Sequence, residues 1–276
     1  MNFAKAHGLG NDFILVAARD APSPVAPWAR RLCDRHRGIG GDGVLLHEPA
    51  PDGIRMRLVN ADGSEAEISG NGVRCLAALA VRGGWAPPEH VVHTVPGPRR
   101  VRVESLGGSR FRVGTDLGPP ILATASIPVA LEPPRPLLVD HPLEAAGRTV
   151  RITALSFGNP HCALLLEQPA EDALIAVLGP ALERHPFFPH RTNVEFVSVT
   201  DPAQVRARFW ERGVGPTSAS GTGAASAAVA AILAGRANRH LRVVCDGGTL
   251  EVEWPEGGSV FQTGEVEILF EGEWRA

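Results

Sequence analysis

Ser69-Gly70-Asn71-Gly72-Val73-Arg74-Cys75-Leu76-Ala77-Ala78-Leu79-Ala80-Val81 and Ser220-Gly221-Thr222-Gly223-Ala224-Ala225-Ser226-Ala227-Ala228-Val229-Ala230-Ala231-Ile232-Leu233 are near copies of one pattern. Each is a serine, a glycine-spaced turn and a helix of small and aliphatic residues. Serine is a good N-cap, and glycine lets the backbone approach a ligand closely. A helix start carries unsatisfied N–H groups and a partial positive charge, so it attracts an anion. One copy alone reads as a turn before a core helix. Two copies, roughly 150 residues apart, imply a duplicated unit far longer than a solenoid repeat. Each also lies beside a cluster of polar residues, which points to a shared site.

The chain of 276 residues allows one large or two ordinary domains, and its 44% hydrophobic, 21% charged composition is that of a globular protein. A net charge of −3 gives no basis for a nucleic-acid partner or an anionic membrane surface. Neither a signal peptide nor a membrane-length apolar run is visible. Cys33, Cys75, Cys162 and Cys245 lack zinc or CxxC spacing and read as reduced thiols of a cytoplasmic protein. Lys5 is the only lysine and has no phosphate loop nearby, which argues against pyridoxal phosphate. Gly38-Ile39-Gly40-Gly41-Asp42-Gly43 has neither a Walker lysine nor the spacing of a dinucleotide fingerprint. No cofactor and no metal are expected.

Alternation and turn residues predict strand, turn and strand over residues 2–18, a short helix over 26–35, and strands over 44–47 and 54–59. More strands follow between 99 and 113. Proline frequency between 117 and 136 marks a linker. In the second half, strands are expected over 149–155, 163–166, 193–197, 206–210, 241–244, 250–254 and 266–270, with a helix over 171–182. The fold class expected is α+β. Two pseudosymmetric domains each wrap a curved, mostly antiparallel sheet around a central helix, with the active site in the cleft between them. The domains are expected at 1–118, completed by the C-terminal strand 264–276, and at 119–263.

Asn11, Asn60, Asn159, Asn193, Glu211 and Arg212 fall at strand ends and turns. Any single asparagine there is most simply a loop cap. Together with the two helix starts they form a receptor for a small zwitterion. The guanidinium suits a carboxylate, and glutamate and amide oxygens suit an ammonium.

These stretches resemble the diaminopimelate epimerase family. The resemblance rests on His7-Gly8-Leu9-Gly10-Asn11-Asp12-Phe13, Gly38-Ile39-Gly40-Gly41-Asp42-Gly43, Asn60-Ala61-Asp62-Gly63-Ser64, Gly70-Asn71-Gly72-Val73-Arg74-Cys75, Gly158-Asn159-Pro160-His161-Cys162, Glu211-Arg212-Gly213-Val214-Gly215 and Gly221-Thr222-Gly223. It implies cofactor-independent interconversion of LL- and meso-diaminopimelate by two bases, one removing the α-proton and the other returning it. It also implies substrate contacts from Asn11, Asn60, Gly70, Asn71, Asn159, Asn193, Glu211, Arg212, Gly221 and Thr222, a homodimer, and a place in lysine biosynthesis.

The resemblance puts cysteine bases where this chain has Ser69 and Ser220, which become the candidate catalytic residues. Cys75 lies six residues into the helix, about 9 Å along its axis, and reads as a core thiol. A thiol ionises near ~8.5, whereas a hydroxyl resembles water, near ~15.7. A gap of about 7 units is roughly 9–10 kcal/mol at ~1.36 kcal/mol per unit. A helix start supplies at most about 2 kcal/mol. Serine therefore needs a further base to do a thiolate's work. Two alternatives stand beside the epimerase. One is a related isomerase or dehydratase working through Glu211 or His161. The other is an amino-acid-binding homologue whose bases were lost naturally or by design. Ala225 also replaces a family cysteine, which favours a natural variant.

Overall fold

Alternation along β2 (Asn11–Ala17) sends Phe13 and Leu15 to one face of a sheet and Ile14 and Val16 to the other, and both faces are buried. Phe13 and Leu15 join a core around helix α2 (Gly70–Arg82). Ile14 and Val16 join a second core beneath helix α1 (Val25–Cys33). The same division recurs on β3 (Gly43–Ala50), with Leu45 inward and Val44 and Leu46 outward. The structure, a computed structural model, describes residues 1–66 and 68–275.

The chain divides into two compact units. One holds Met1–Asp116 and the C-terminal stretch from Thr263; the other is Leu117–Gln262. The first also contains β1 (Asn2–Gly8), β4 (Gly53–Asn60), β5 (Glu65–Ala66), β6 (Glu89–Thr94), β7 (Gly97–Gly107), β8 (Arg110–Asp116) and nearly all of β17 (Phe261–Glu273). Pairing runs β17–β1–β2–β3–β4–β6–β7–β8, and β8 pairs back to β17, so the strands close into a ring. Only β2–β3 and β4–β6 among the registered pairs are parallel. The ring encloses α2, which packs on β1, β2, β3, β4, β7 and β8.

The second unit repeats this plan. Its strands are β9 (Leu138–Ala145), β10 (Arg148–Ser156), β11 (Pro160–Leu166), β12 (Asn193–Asp201), β13 (Gln204–Glu211), β14 (Gly215–Thr217), β15 (His240–Cys245) and β16 (Gly248–Glu253). Pairing runs β9–β10–β11–β12–β13–β15–β16, with β11–β12 and β13–β15 parallel. These are the positions at which the first unit has its parallel pairs. Helix α4 (Gly221–Leu233) packs on β10, β11, β12, β13, β15 and β16. Helix α3 (Asp172–Glu183) covers the opposite face, as α1 does in the first unit. The fold is α+β, with one topology used twice.

Both inner helices are buried all round over their first eleven residues, Gly70–Ala80 and Gly221–Ala231. A helix enclosed on every side has no face for solvent. Glycine and alanine keep it thin enough for a sheet to close around it. Helix α4 is accordingly small and apolar almost throughout, while the Asn71 and Arg74 side chains of α2 are buried and hydrogen-bonded to each other.

Segment 117–136 is not the free linker that its prolines suggest. Ile121 bridges to Ser156, Thr124 binds both backbone groups of Arg135, Ala130 N–H bonds Phe187 O, and Ile127 is buried. Irregular backbone here is satisfied piece by piece, without a ladder. Strands β5, β6, β9 and β14 are absent from the sequence reading. β9 carries Pro142 and alternating charge, as an edge strand does. The helix expected over 26–35 ends at Cys33, because the Asp34 carboxylate accepts from the N–H groups of His36 and Arg37 and turns the chain.

Candidate functional site

Ser69 and Ser220 cap the two inner helices in the same way. Each has extended backbone, and each hydroxyl accepts a hydrogen bond from the third helical N–H, Gly72 N at 3.1 Å and Gly223 N at 3.2 Å. The positions that set them differ. In the first unit the cap leads into Asn71, which is 1% exposed, and Arg74, which is fully buried. In the second it leads into Thr222 and an all-small helix.

Around Ser69's unit, Asn11 and Asn71 are brought together. Asn71 Nδ2 donates to Asn11 Oδ1 at 3.3 Å, and Asn11 Nδ2 donates to Asp42 Oδ2 at 2.7 Å. Arg74 donates to Asn71 Oδ1. Asp42 also accepts from Asp12 N and from Arg35. Arg35 grips Asp12 with two nitrogens, and Lys5 pairs with Asp12 at 2.6 Å and donates to Gly40 O. Burial would raise the Asp12 carboxyl, but the Arg35 and Lys5 contacts outweigh it and hold it well below the usual range. The lone lysine is thus a structural cation. Asn60 stands apart from this chain: its Nδ2 donates to Ser64 Oγ and closes the Asn60–Ser64 turn.

In the second unit, Glu211 and Ser220 lie near each other, and Thr222, Asn159, His161 and Glu195 form a hydrogen-bonded chain. Burial raises the Glu211 carboxyl; hydrogen bonds from Thr217 and Ser220 and the charge of His161 oppose the rise, while Glu195 adds to it. Thr217 Oγ1 lies 2.8 Å from Glu211 Oε1. The Ser220 hydroxyl thus accepts from the helix and lies near a carboxyl that burial raises. Asn159 Nδ2 donates to Thr222 Oγ1 at 3.2 Å, and Asn159 Oδ1 meets His161 Nε2 at 3.1 Å. His161 Nδ1 is 2.7 Å from Glu195 Oε1, and both side chains are buried. Burial raises Glu195, with His161 opposing. Asn193 is used as a brace: Nδ2 donates to Pro160 O and Oδ1 accepts from Arg212 N. The Arg212 side chain reaches His190 O at 3.4 Å. Gly221 O accepts from Gln262.

The thiols are not bases. Burial pushes Cys75 up to about 12 and Cys33 to about 11, and raises Cys162 with help from Glu195. Among the described residues no group of three or more His, Cys, Asp or Glu is placed to hold a metal ion.

Four residues essential to this geometry escaped the sequence reading as site elements: Asp42, Arg74, Glu183 and Glu195. Glu183, 2% exposed, accepts from Trp210 Nε1 and from Gly213 N, and so ties down the turn after Glu211. A glutamate at a helix end carries no sequence signal of that role. Asp42 does carry one, as the charged residue of a four-glycine loop.

The fold defines a structural class that includes solved racemases, epimerases and phenazine-biosynthesis proteins. A probable proline racemase from Agrobacterium radiobacter shares it at a TM-score of 0.70, with 16% identity, over 99% of this chain and 92% of that one. Within that class the chain belongs to the diaminopimelate epimerase family, which it matches over residues 3–122 and 153–269. It is 45% identical to a diaminopimelate epimerase of Desulforudis audaxviator and 42% identical to one of Pelotomaculum thermopropionicum, in both cases over 99% of either chain. No helix is long and apolar enough to cross a membrane.

Proposed function

We propose that this protein is a cofactor-independent epimerase of diaminopimelate in which Ser69 and Ser220 stand at the two base positions. Full-length identity to diaminopimelate epimerases carries the substrate. The capped Ser220 hydroxyl near a carboxyl that burial raises carries the chemistry. A hydroxyl hydrogen-bonded to a carboxylate of raised basicity can pass a proton to it while exchanging one with a substrate carbon. Ser220 then serves one face of the α-carbon and Ser69 the other. Asn11, Asn60, Asn159, Asn193, Arg212 and the turns Gly70-Asn71 and Gly221-Thr222 hold the substrate. The protein acts in the cytoplasm as a homodimer. Exposed Leu269 and Phe270 on β17 provide apolar surface for a second copy. Sedimentation as a monomer at micromolar concentration would overturn that last point.

The test is incubation of LL-diaminopimelate with the protein in D₂O. Deuterium at the α-carbon together with meso product supports the epimerase. Deuterium without inversion supports the second reading, in which Glu211 is the sole working base. Binding without exchange leaves an amino-acid-binding protein and ends both enzymatic readings.

A further inference from the structure

The hydrogen-bond chain Arg74–Asn71–Asn11–Asp42 has a direction that its two ends dictate. A guanidinium only donates and a carboxylate only accepts. Arg74 therefore fixes Asn71 with Oδ1 inward, so Asn71 Nδ2 donates onward to Asn11 Oδ1 at 3.3 Å. Asn11 is then left with Nδ2 toward Asp42 Oδ2 at 2.7 Å. Flipping either amide would set oxygen against oxygen or N–H against N–H at both of its contacts. Each amide is thus left with one N–H to offer a ligand. Asp42 is itself held from three sides, by Asp12 N at 3.0 Å, by Arg35 Nη2 at 2.9 Å and by its own N–H on Asp12 O at 2.8 Å. Gly8 leaves the room: a Cβ there would lie 3.2 Å from Asn71 Oδ1.

We propose that Asp42 is a positioning residue that locks Asn11, as Arg74 at the other end locks Asn71, so that the two amides stand as paired N–H donors and the first unit's half of the site is a receptor for a carboxylate. This rests on the reading above, in which Asn11 and Asn71 contact the amino-acid substrate. Two amide donors beside the positive end of α2 suit an anion and would repel an ammonium.

The experiment is a double-mutant cycle on the full chain, with LL-diaminopimelate affinity measured by calorimetry. Asn11→Ala is expected to weaken binding about tenfold, and Asp42→Ala by a similar factor. The double variant should bind no worse than Asn11→Ala alone, because Asp42 acts only through Asn11. Asp42→Asn keeps an acceptor facing Asn11 and should stay within about threefold of the parent. Multiplicative losses in the double variant, or Asp42→Asn as weak as Asp42→Ala, would overturn the proposal. Asn11→Ala without effect would instead sink the substrate reading on which it rests. A second measurement is independent of any ligand. In side-chain amide NMR spectra, Asp42→Ala should move the signals of both Asn11 and Asn71 and leave Asn159 in place. Unmoved Asn71 signals would show that the chain is not a unit.

Discussion

Glu211 is the residue whose surroundings decide what Ser220 can do. Its carboxyl is raised mainly by burial, and it accepts a hydrogen bond from Thr217. A raised folded value has a definite sign in stability. The unfolded chain ionises near ~4.3, the folded one higher, so the folded protein binds the extra proton between those values. Ionisation therefore subtracts stability as pH rises through that window, and the loss is complete above the folded value. Glu211→Gln keeps an acceptor for the Thr217 hydroxyl and removes the charge. Its melting temperature should exceed the parent's at pH 8 and converge with it at pH 4. A melting curve displaced equally at both pH values would mean that shape, not charge, is at stake. The same substitution should cut α-proton exchange at least a hundredfold, within the range general-base catalysis contributes. Asp12 has the opposite sign: its depressed carboxyl stabilises the fold above ~3.9 and gives that up as acid protonates it.

The inner helices set how much freedom each serine has, and here the two copies differ. A Cβ on Gly223 would lie 2.8 Å from Ser220 Oγ and 3.0 Å from Phe209 Cδ1, whereas one on Gly72 would lie 3.1 Å from Leu45 Cδ2 and 3.3 Å from Ser69 Cβ. The Leu45 contact asks for a shift of a few tenths of an ångström; the Ser220 hydroxyl cannot move away without leaving Gly223 N. Gly223→Ala is expected to cost about 1–3 kcal/mol, as overpacking does, and to abolish exchange. Gly72→Ala should fall within about 1 kcal/mol of the parent, since alanine regains helix propensity. Equal losses in urea unfolding would contradict this asymmetry. These helices and their caps were legible in the sequence, because a serine before a glycine turn and an all-small run leave few other structures. The alternation of β4 and β13 was legible for the same local reason, and β2 was legible as an apolar run after a glycine turn. What was not legible is long-range. β6 and β9 gain their place from partners, and the packing of 117–136 depends on Ser156 and Phe187. Glu183, Glu195 and Asp42 act on residues 27 to 34 positions away, through contacts that no local pattern encodes.

At the scale of the whole molecule, one topology used twice supplies two capped helices, each with its serine in the same geometry. That duplication fits a reaction needing two proton carriers of one kind, and it makes the carriers' chemistry separable from their placement. Replacing serine with cysteine at an N-cap changes one atom and costs about 1 kcal/mol or less in capping. It shifts the proton carrier from a hydroxyl near ~15.7 to a thiol near ~8.5, which a helix start lowers further. Ser69→Cys with Ser220→Cys should therefore raise epimerisation of LL-diaminopimelate by orders of magnitude over the parent. Either change alone should raise it far less, because the remaining hydroxyl still limits one of the two transfers and such residues act as a unit. The rate of the double variant should rise with pH through a thiol ionisation and disappear on alkylation. Cys33, Cys75 and Cys162 will not confuse that titration, since each is buried and raised. A double variant that folds and binds diaminopimelate yet exchanges no α-proton would show that more than the bases has diverged. Glu211, through Ser220, would then be the residue left to explain any activity of the parent.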